Sequence, residues 1–425
     1  MFQRRAGAQV YCGFDPTADS LHLGNLLGIV VLEWFRRSGH SAVALVGGAT
    51  ARIGDPSGKS VERPMMDEGV LEANLSAIGA QLGKLLRAEV KAPVPAAEGS
   101  VAAKAGSVAI VDNMEWYSGM SALEFLRDIG RHARVSTMLS KDSVKSRLGA
   151  EDGMSFTEFS YQLLQGWDFA HLNREYGVSV QIGGSDQWGN ITAGTDLIRK
   201  TNSKGDEGDD SERPKAFGVT FPLLLKADGS KFGKSVDGAI WLDGDKLSPF
   251  KFYQAIFATA DADVVKFLRM LTFLPLDEVE AIGRSMGEEG YRPNDAQRRL
   301  AEEVTRFVHG EEGLQAALAA TAALAPGSDT KLDVATLEAI AEDVPSVTLP
   351  LDAVQDAPLI EVMVAAGLQP SKSAAKRMVK QGGARVNNAK VNDQDQLVAG
   401  DDIIEGRLVL LAAGKKNKVL VRIDA

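Results

Sequence analysis

Between residue 10 and about residue 225 the chain keeps changing its hydrophobic period, with short β-branched runs ("VYCGF", "SAVALVGGA", "SVAIVDN") alternating with longer helical patterns ("LLGIVVLEWFRRSG", "SALEFLRDIGRHA"). Strands separated by helices pair in parallel, with helices covering both faces, so an α/β parallel sheet is predicted. Ligands of such sheets bind at the carboxyl ends of the strands. The stretch "VYCGFDPTADSLHLGN", Val10 to Asn25, is one of those ends.

Beyond the alternation, the pattern from Pro249 to about Ala325 is helical throughout, with charges at solvating positions, and predicts a separate all-α unit. "APGSDT" ends it, and "VPSVTLPLDAV" reads as an extended connector. The tail opens with two glycine-closed helices, "PLIEVMVAAG" and "PSKSAAKRMVKQGG". Ser371 or Ser373 can cap the second, and Gly382 and Gly383 can take the left-handed conformation at its end. "ARVNNAKV" predicts two strands around Asn387-Asn388, and "DIIEGRLVLLAAGKKNKVLVRI" predicts further strands. The predicted domains are therefore 1–248 (parallel sheet), 249–325 (α-helical), 326–357 (linker) and 358–425 (small α+β). "TNSKGDEGDDSERP", 201–214, has almost no apolar residue and predicts a flexible surface insertion.

Composition excludes several classes. With 44% hydrophobic and 24% charged residues the chain reads as soluble and globular, and its 425 residues suffice for two or three domains. The single cysteine, Cys12, forbids an intrachain disulfide and suits a reducing compartment. No run approaches the ~20 apolar residues of a membrane span, and "MFQRRAGAQ" lacks the apolar core of a secretory signal. The net charge of -10 argues against a uniformly basic nucleic-acid binder. It hides an asymmetry, because residues 358–425 hold 11 Lys/Arg against 7 Asp/Glu.

Two segments carry chemistry. In the opening corner a strand runs through "DPTADSLHLGN" into a helix, which places backbone N–H groups, the positive end of a helix dipole, Thr17, His22 and Asn25 around one concavity suited to a polyphosphate. Gly13 and Gly24 add no side chain there, and Gly24 leaves room for a base or ribose to approach. Taken alone, a turn whose histidine caps a helix explains the corner equally well. In "KADGSKFGKS", 226–235, Lys231, Lys234 and Ser235 lie beside Gly229 and Gly233, too glycine-rich for a stable helix. A flexible loop with two ammonium groups can close over a phosphate and follow charge onto a leaving group. Such a loop alone is more often a solvated turn; the two together on an alternating chain are not readily accidental.

The pair resembles the two signature motifs of class I aminoacyl-tRNA synthetases, with "HLGN" in place of a motif that usually ends in histidine, and "KFGKS" as the mobile loop. "YCGFDPTADSLH", "ALVGGATARIGDPSGK", "SFTEFSYQLLQGWDF" and "QIGGSDQWGNITAG" are similar, nearly letter for letter, to tyrosyl-tRNA synthetases of the bacterial and organellar type. The likeness extends to the tail, where "SKSAAKRMVKQGG" resembles their S4-type RNA-binding domain. It implies a Rossmann-like catalytic domain, an anticodon-side helical domain and an S4-type domain. It also implies a reaction in which the tyrosine carboxylate attacks the α-phosphorus of ATP, pyrophosphate leaves, and the tyrosyl group moves to the terminal ribose of tRNA(Tyr). No covalent nucleophile is required, only alignment and charge stabilisation.

By matching positions, the resemblance implies that Thr17, His22 and Asn25 hold phosphate and ribose, while Lys231, Lys234 and Ser235 close over a pyrophosphate carrying Mg2+. An amide at Asn25 donates to oxygen without ever carrying positive charge. Tyr11 and Asp168 match the pair that meets the substrate phenol; Asp55, Tyr161, Gln165 and Gln181 match residues around its ammonium; Asp186 and Gln187, in "GGSDQWGN", match the ribose side. Tyr161 and Gln165 are four apart and also fit one face of an ordinary helix. Asp168, in "GWDF", is harder to explain blandly, because a carboxylate among apolar neighbours is costly to bury unpartnered. No protein-ligated metal is expected.

In the tail, Lys372, Lys376 and Lys380 fall on one face of the predicted helix with Arg377 beside them, opposite Ala375, Met378 and Val379. A row of like charges favours an anionic partner over self-stability, and Lys415, Lys416 and Lys418 extend the surface predicted to take tRNA. Two other readings share the pattern: a catalytically idle relative that only binds RNA, and tryptophanyl activation on the same fold. The intact KFGKS loop and Tyr11/Asp168 pair oppose the first, and a phenol-directed pair opposes the second. The resemblance further implies a homodimer and a chloroplast or mitochondrial location, with the cytoplasm as alternative, and the lack of a long apolar run predicts no membrane association.

Overall fold

The computed structural model describes residues 8–59, 61, 63–87, 106–151, 153–201, 215–235, 238–325, 332–341, 344–414 and 417–424. They fall into two compact units, Met1–Asp243 with Ala260–Ala296, and Gly244–Thr259 with Gln297–Ala425.

The first unit is built on five strands, β1 (Gln9–Phe14), β2 (Ser41–Val46), β3 (Val108–Asp112), β4 (Val180–Gly184) and β5 (Phe217–Phe221), followed by a separate two-residue ribbon, β6 (Lys234–Ser235) and β7 (Gly238–Ala239). The five pair in parallel in the order β3-β2-β1-β4-β5, the doubly wound arrangement. Every residue of β2 is buried, which is why its sequence "SAVALV" reads as a continuous small apolar run. The sheet is covered by α1 (Leu23–Arg37), α2 (Glu68–Leu86), α3 (Phe156–Tyr176) and α4 (Trp188–Thr201). Ser155 caps the start of α3 and Gly177, at φ 69, closes it. α3 and α4 cross closely because position 194 is glycine: a Cβ there would stand 2.9 Å from Phe169 Cβ. The chain order reverses between β1 and β4, so the crevice beyond their carboxyl ends is where a ligand belongs.

The helical stretch comprises α5 (Pro249–Phe257), α6 (Asp261–Leu271), α7 (Leu276–Ser285) and α8 (Asp295–Leu324), the last broken at Gly310 (φ 77). It is not one body: α6 and α7 belong to the first unit, α5 and α8 to the second. Trp34 and Arg37 of α1 pack on Phe273 at the end of α6, with the guanidinium 3.8 Å from the ring centre. Amphipathic periodicity gives helices without saying which core each apolar stripe meets.

In the second unit, β8 (Ser346–Pro350), β9 (Ala384–Val386), β10 (Ala389–Lys390), β11 (Leu408–Ala413) and β12 (Asn417–Asp424) form a sheet of order β10-β9-β11-β12-β8 with α9 (Leu359–Ala365) and α10 (Lys372–Lys380) against it. Ser371 is the residue that caps α10, Gly382 takes φ 69, and Asn387 and Asn388 take φ 47 and 68 in the hairpin. Gly383 does not take positive φ. The "VPSVTLPLDAV" segment is a strand rather than a connector: β8 pairs in parallel with β12 and turns Val347 and Leu349 onto the core. Its prolines are tolerable because β8 is an edge strand. Phe250, Ala320 and Ala323 share a core with Leu408, Leu410 and Leu420, so within this unit the tail packs on the helical segment. The acidic insertion, apart from Thr201, lies outside the described residues.

Candidate active site

His22 is the N-cap of α1: its Nδ1 accepts from the Gly24 N–H at 3.0 Å, while the His22 N–H donates to Asn25 Oδ1 at 3.0 Å. This is a reciprocal capping box. The ring bonds through Nδ1, so a neutral imidazole carries its proton on Nε2 and presents a donor. Asn25 spends its oxygen on the helix start, which leaves its NH2 as the end able to donate. Gly24 is required for a reason the sequence does not reveal. A Cβ would lie 2.8 Å from His22 Cε1, so glycine lets the imidazole fold back over the cap. Gly13, near the end of β1, has open space where a side chain would project.

The late loop meets this corner. Leu23 N–H donates to the Ile240 carbonyl at 2.8 Å, and Ile240 N–H donates to the Gly233 carbonyl at 3.0 Å. Gly233, at φ 118, comes so close that a Cβ would sit 3.4 Å from the Gly24 nitrogen. Lys231 lines the same cavity as Thr17, His22 and Asn25. Lys234 and Ser235 form a short backbone pairing with Gly238 and Ala239; their side chains lie outside the described residues.

That cavity measures about 410 Å3 and runs down between β1 and β4. At its floor Asp168, only 1% exposed, accepts from Asn113 Nδ2 at 3.1 Å and Trp116 Nε1 at 3.0 Å. Burial pushes its carboxyl up to about 7, against the pull of those donors. Tyr11 is equally buried, and neither its hydroxyl nor Gln181 Oε1 has a hydrogen-bond partner among the described residues. Buried polar atoms seldom go unpaired, and both residues line the cavity, so both offer unmet capacity to a ligand.

The wall between floor and phosphate corner is acidic. Tyr161 Oη donates to Asp15 Oδ2 at 2.8 Å and Thr50 Oγ1 donates to Asp15 Oδ1 at 2.7 Å; burial raises the Asp15 carboxyl to about 6. Asp55 accepts from Ser57 N–H at 2.9 Å, Gln187 Nε2 at 2.7 Å and Asn190 Nδ2 at 3.3 Å. The Gln187 side chain thus reaches Asp55, on the side assigned to the substrate ammonium; burial also raises the carboxyl of neighbouring Asp186. Gln165 lines the cavity with them.

Asp15, Thr50, Asn113, Trp116, Asn190, Lys59 and Arg63 were not singled out from the sequence. Asp15 had a signal, since it follows β1 directly; so had "VGGA", because a Cβ on Gly47 would stand 2.0 Å from Asp15 Oδ1. Among the described residues no group of three or more His, Cys, Asp or Glu is placed to hold a metal.

In the second unit, Lys372, Lys376, Arg377 and Lys380 are exposed on α10, with Ala375 and Val379 buried beneath. Lys372 pairs with Glu361 at 2.7 Å. Lys418 departs from expectation: its half-buried ammonium donates to the carbonyls of Ala323 (3.2 Å) and Leu324 (2.9 Å), capping α8, so it is not a free anchor for phosphate. Lys415 and Lys416 lie outside the described residues.

A histidine-capped helix at the switch point of a five-stranded parallel sheet, met by a lysine-bearing hairpin from beyond the last strand, sets the first unit among the class I aminoacyl-tRNA synthetases. The model of the family "tRNA synthetases class I (W and Y)" matches residues 3–325, and that of "Tyrosine–tRNA ligase SYY-like C-terminal domain" matches residues 336–421. The chain is 57% identical over 419 residues to the chloroplastic/mitochondrial tyrosine–tRNA ligase of Arabidopsis thaliana, covering 99% of this chain and 78% of that one. It is 51% identical over 415 residues to the tyrosine–tRNA ligase of Protochlamydia amoebophila, covering 98% and 92%. A solved, C-terminally truncated Aspergillus nidulans mitochondrial tyrosyl-tRNA synthetase aligns at 35% identity and a TM-score of 0.61, over 73% of this chain and 84% of that one. The chain belongs to the tyrosyl-tRNA synthetase family, in its bacterial and organellar branch. No helix among the described residues is long and apolar enough to cross a membrane.

Proposed function

We propose that the chain ligates L-tyrosine to tRNA(Tyr), with both chemical steps in the cavity between β1 and β4. In the first, a tyrosine carboxylate oxygen attacks the α-phosphorus of ATP, the bond to the β-phosphate breaks, and pyrophosphate leaves with the electron pair. In the second, a hydroxyl of the terminal tRNA ribose attacks the tyrosyl carbonyl and AMP departs. ATP and its Mg2+ enter together as substrate.

Asp168 accepts from the substrate phenol and Tyr11 makes the second contact. Asp55, Tyr161, Gln165 and Gln181 surround the ammonium, with Asp15 orienting the Tyr161 hydroxyl. Thr17, His22 and Asn25 donate to phosphate, Gly13 leaves space for the nucleotide while Gly24 lets the His22 ring fold over the cap, and Asp186 with Gln187 serves the ribose. Lys231, Lys234 and Ser235 stabilise charge on the pyrophosphate. The observation that carries this reading is the Tyr11 hydroxyl, buried at the floor beside Asp168 without a partner among the described residues.

The exposed face of α10, with Lys376, Arg377 and Lys380, supports an S4-like role in holding tRNA. Leu123 (79% exposed), Leu126, Val135, Leu139, Leu148 and Phe156 are large exposed apolar residues concentrated in one stretch, and support pairing with a second copy. The likeness to the Arabidopsis protein supports a chloroplast or mitochondrial location. Tyrosine-dependent exchange of pyrophosphate with ATP tests the reading. Exchange with tyrosine supports it, its absence overturns it, and exchange with tryptophan alone selects the tryptophanyl reading.

A further inference from the structure

The hairpin that carries Lys231 is small. Leu225 and Lys231 face each other across an isolated antiparallel bridge; Lys226 N–H donates to the Ser230 carbonyl and Phe232 N–H to the Leu224 carbonyl, both at 2.8 Å. Asp228 sets the turn by accepting from the Ser230 N–H and Oγ, with Gly229 at φ 81 beside it. A two-stranded hairpin of this size is not stable alone, so its direction depends on what its base touches. Helix α6 supplies two ties. Phe232 stacks on the fully buried Phe267, centroids 4.2 Å apart. The neighbouring Lys266 donates its Nζ to the Leu225 carbonyl at 2.7 Å.

We propose that Lys266 is a positioning residue for Lys231. Leu225 is the cross-strand partner of Lys231, so the carbonyl that Lys266 grips belongs to the residue opposite the cavity-lining lysine. The ring stack, with the Ile240 N–H to Gly233 carbonyl bond, holds the strand that carries Lys231. The ammonium-to-carbonyl bond holds the strand opposite, so that together they fix the hairpin's direction. Lys266 is itself exposed and does not line the cavity, so it acts through the placement of Lys231 rather than on substrate. The inference rests on the proposed role of Lys231 against the leaving pyrophosphate.

The test uses the full chain with Lys266→Ala, Lys266→Arg, Lys231→Ala and the Lys231→Ala/Lys266→Ala double variant. Single-turnover adenylate formation, tyrosine affinity, transfer from preformed adenylate and melting temperature are measured in each. Lys266→Ala is expected to slow adenylate formation about 3- to 10-fold, as a small misplacement of a charge-stabilising group does, with the other three readouts unchanged. Lys266→Arg restores most of the rate, and in the Lys231→Ala background Lys266→Ala costs nothing more. A wild-type rate in Lys266→Ala, equal losses in tyrosine affinity and transfer, or the same fold-loss with Lys231 already removed, overturns the inference. A wild-type rate in Lys231→Ala overturns the role of Lys231 itself, and the inference with it.

Discussion

At the scale of single residues, the floor of the cavity makes specificity a matter of unpaired polar atoms. A phenylalanine ring in place of tyrosine would leave the Tyr11 hydroxyl buried without a partner and bring no further donor to the buried Asp168 carboxyl, the discrimination for which tyrosyl-tRNA synthetases are the standard illustration. Tyr11→Phe should therefore lower kcat/KM for tyrosine by about 10-fold or more while leaving that for phenylalanine nearly unchanged, so that the selectivity ratio falls. Asp168 adds a pH dependence. Burial holds its carboxyl at about 7, so the accepting carboxylate is the minority form below that pH and the majority form above it. In the free enzyme kcat/KM for tyrosine should rise with pH through about 7, and Asp168→Asn should flatten that limb. A pH profile of kcat/KM for both proteins checks it. His22 was legible in the sequence from the pattern of its corner and Asp168 from the cost of burying a carboxylate, whereas Tyr11 was legible only through the family resemblance of its segment. Asp15, Thr50, Asn113 and Trp116 were not, because what defines them is a partner far away in the chain: Tyr161, on α3, lies 146 positions from Asp15.

Among the elements, α1 and α10 show how one residue answers two needs. Asn25 closes the capping box through its oxygen, so Asn25→Ala removes a cap worth about 1 kcal/mol and should lower the melting temperature by about 2–4 °C. Asn25→Asp keeps an accepting oxygen and the melting temperature, yet should slow adenylate formation by setting a negative charge near the triphosphate. Calorimetry with exchange rates separates the two effects. In the second unit the lysines divide by location. Lys376→Ala/Lys380→Ala should weaken tRNA binding and reduce its salt slope by about 2 without altering stability. Lys418→Ala should do the reverse, lowering the melting temperature by uncapping α8 and leaving the salt slope unchanged. Sequence spacing found the α10 face because a helix repeats every three to four residues. It grouped Lys418 with that face because spacing carries no record of which carbonyls an ammonium meets.

For the molecule as a whole, the alternation of strands and helices made the parallel sheet legible, since only that topology accommodates it. The division of the helical stretch was not legible, because α5 to α8 share one amphipathic pattern while serving two cores. The apolar stretch from Leu123 to Phe156 bears on assembly: replacing Leu123 and Val135 by glutamate should halve the mass measured by sedimentation if a second copy covers that surface. The central claim is that the His22 corner and the Lys231 hairpin, two hundred positions apart, act on one triphosphate. A double-mutant cycle on single-turnover adenylate formation, with His22→Ala, Lys231→Ala and the pair, tests it most directly. The account predicts losses that do not simply multiply, with a coupling of about 0.5–3 kcal/mol between the two groups. Losses that multiply without coupling, or a wild-type rate in either single variant, would contradict it.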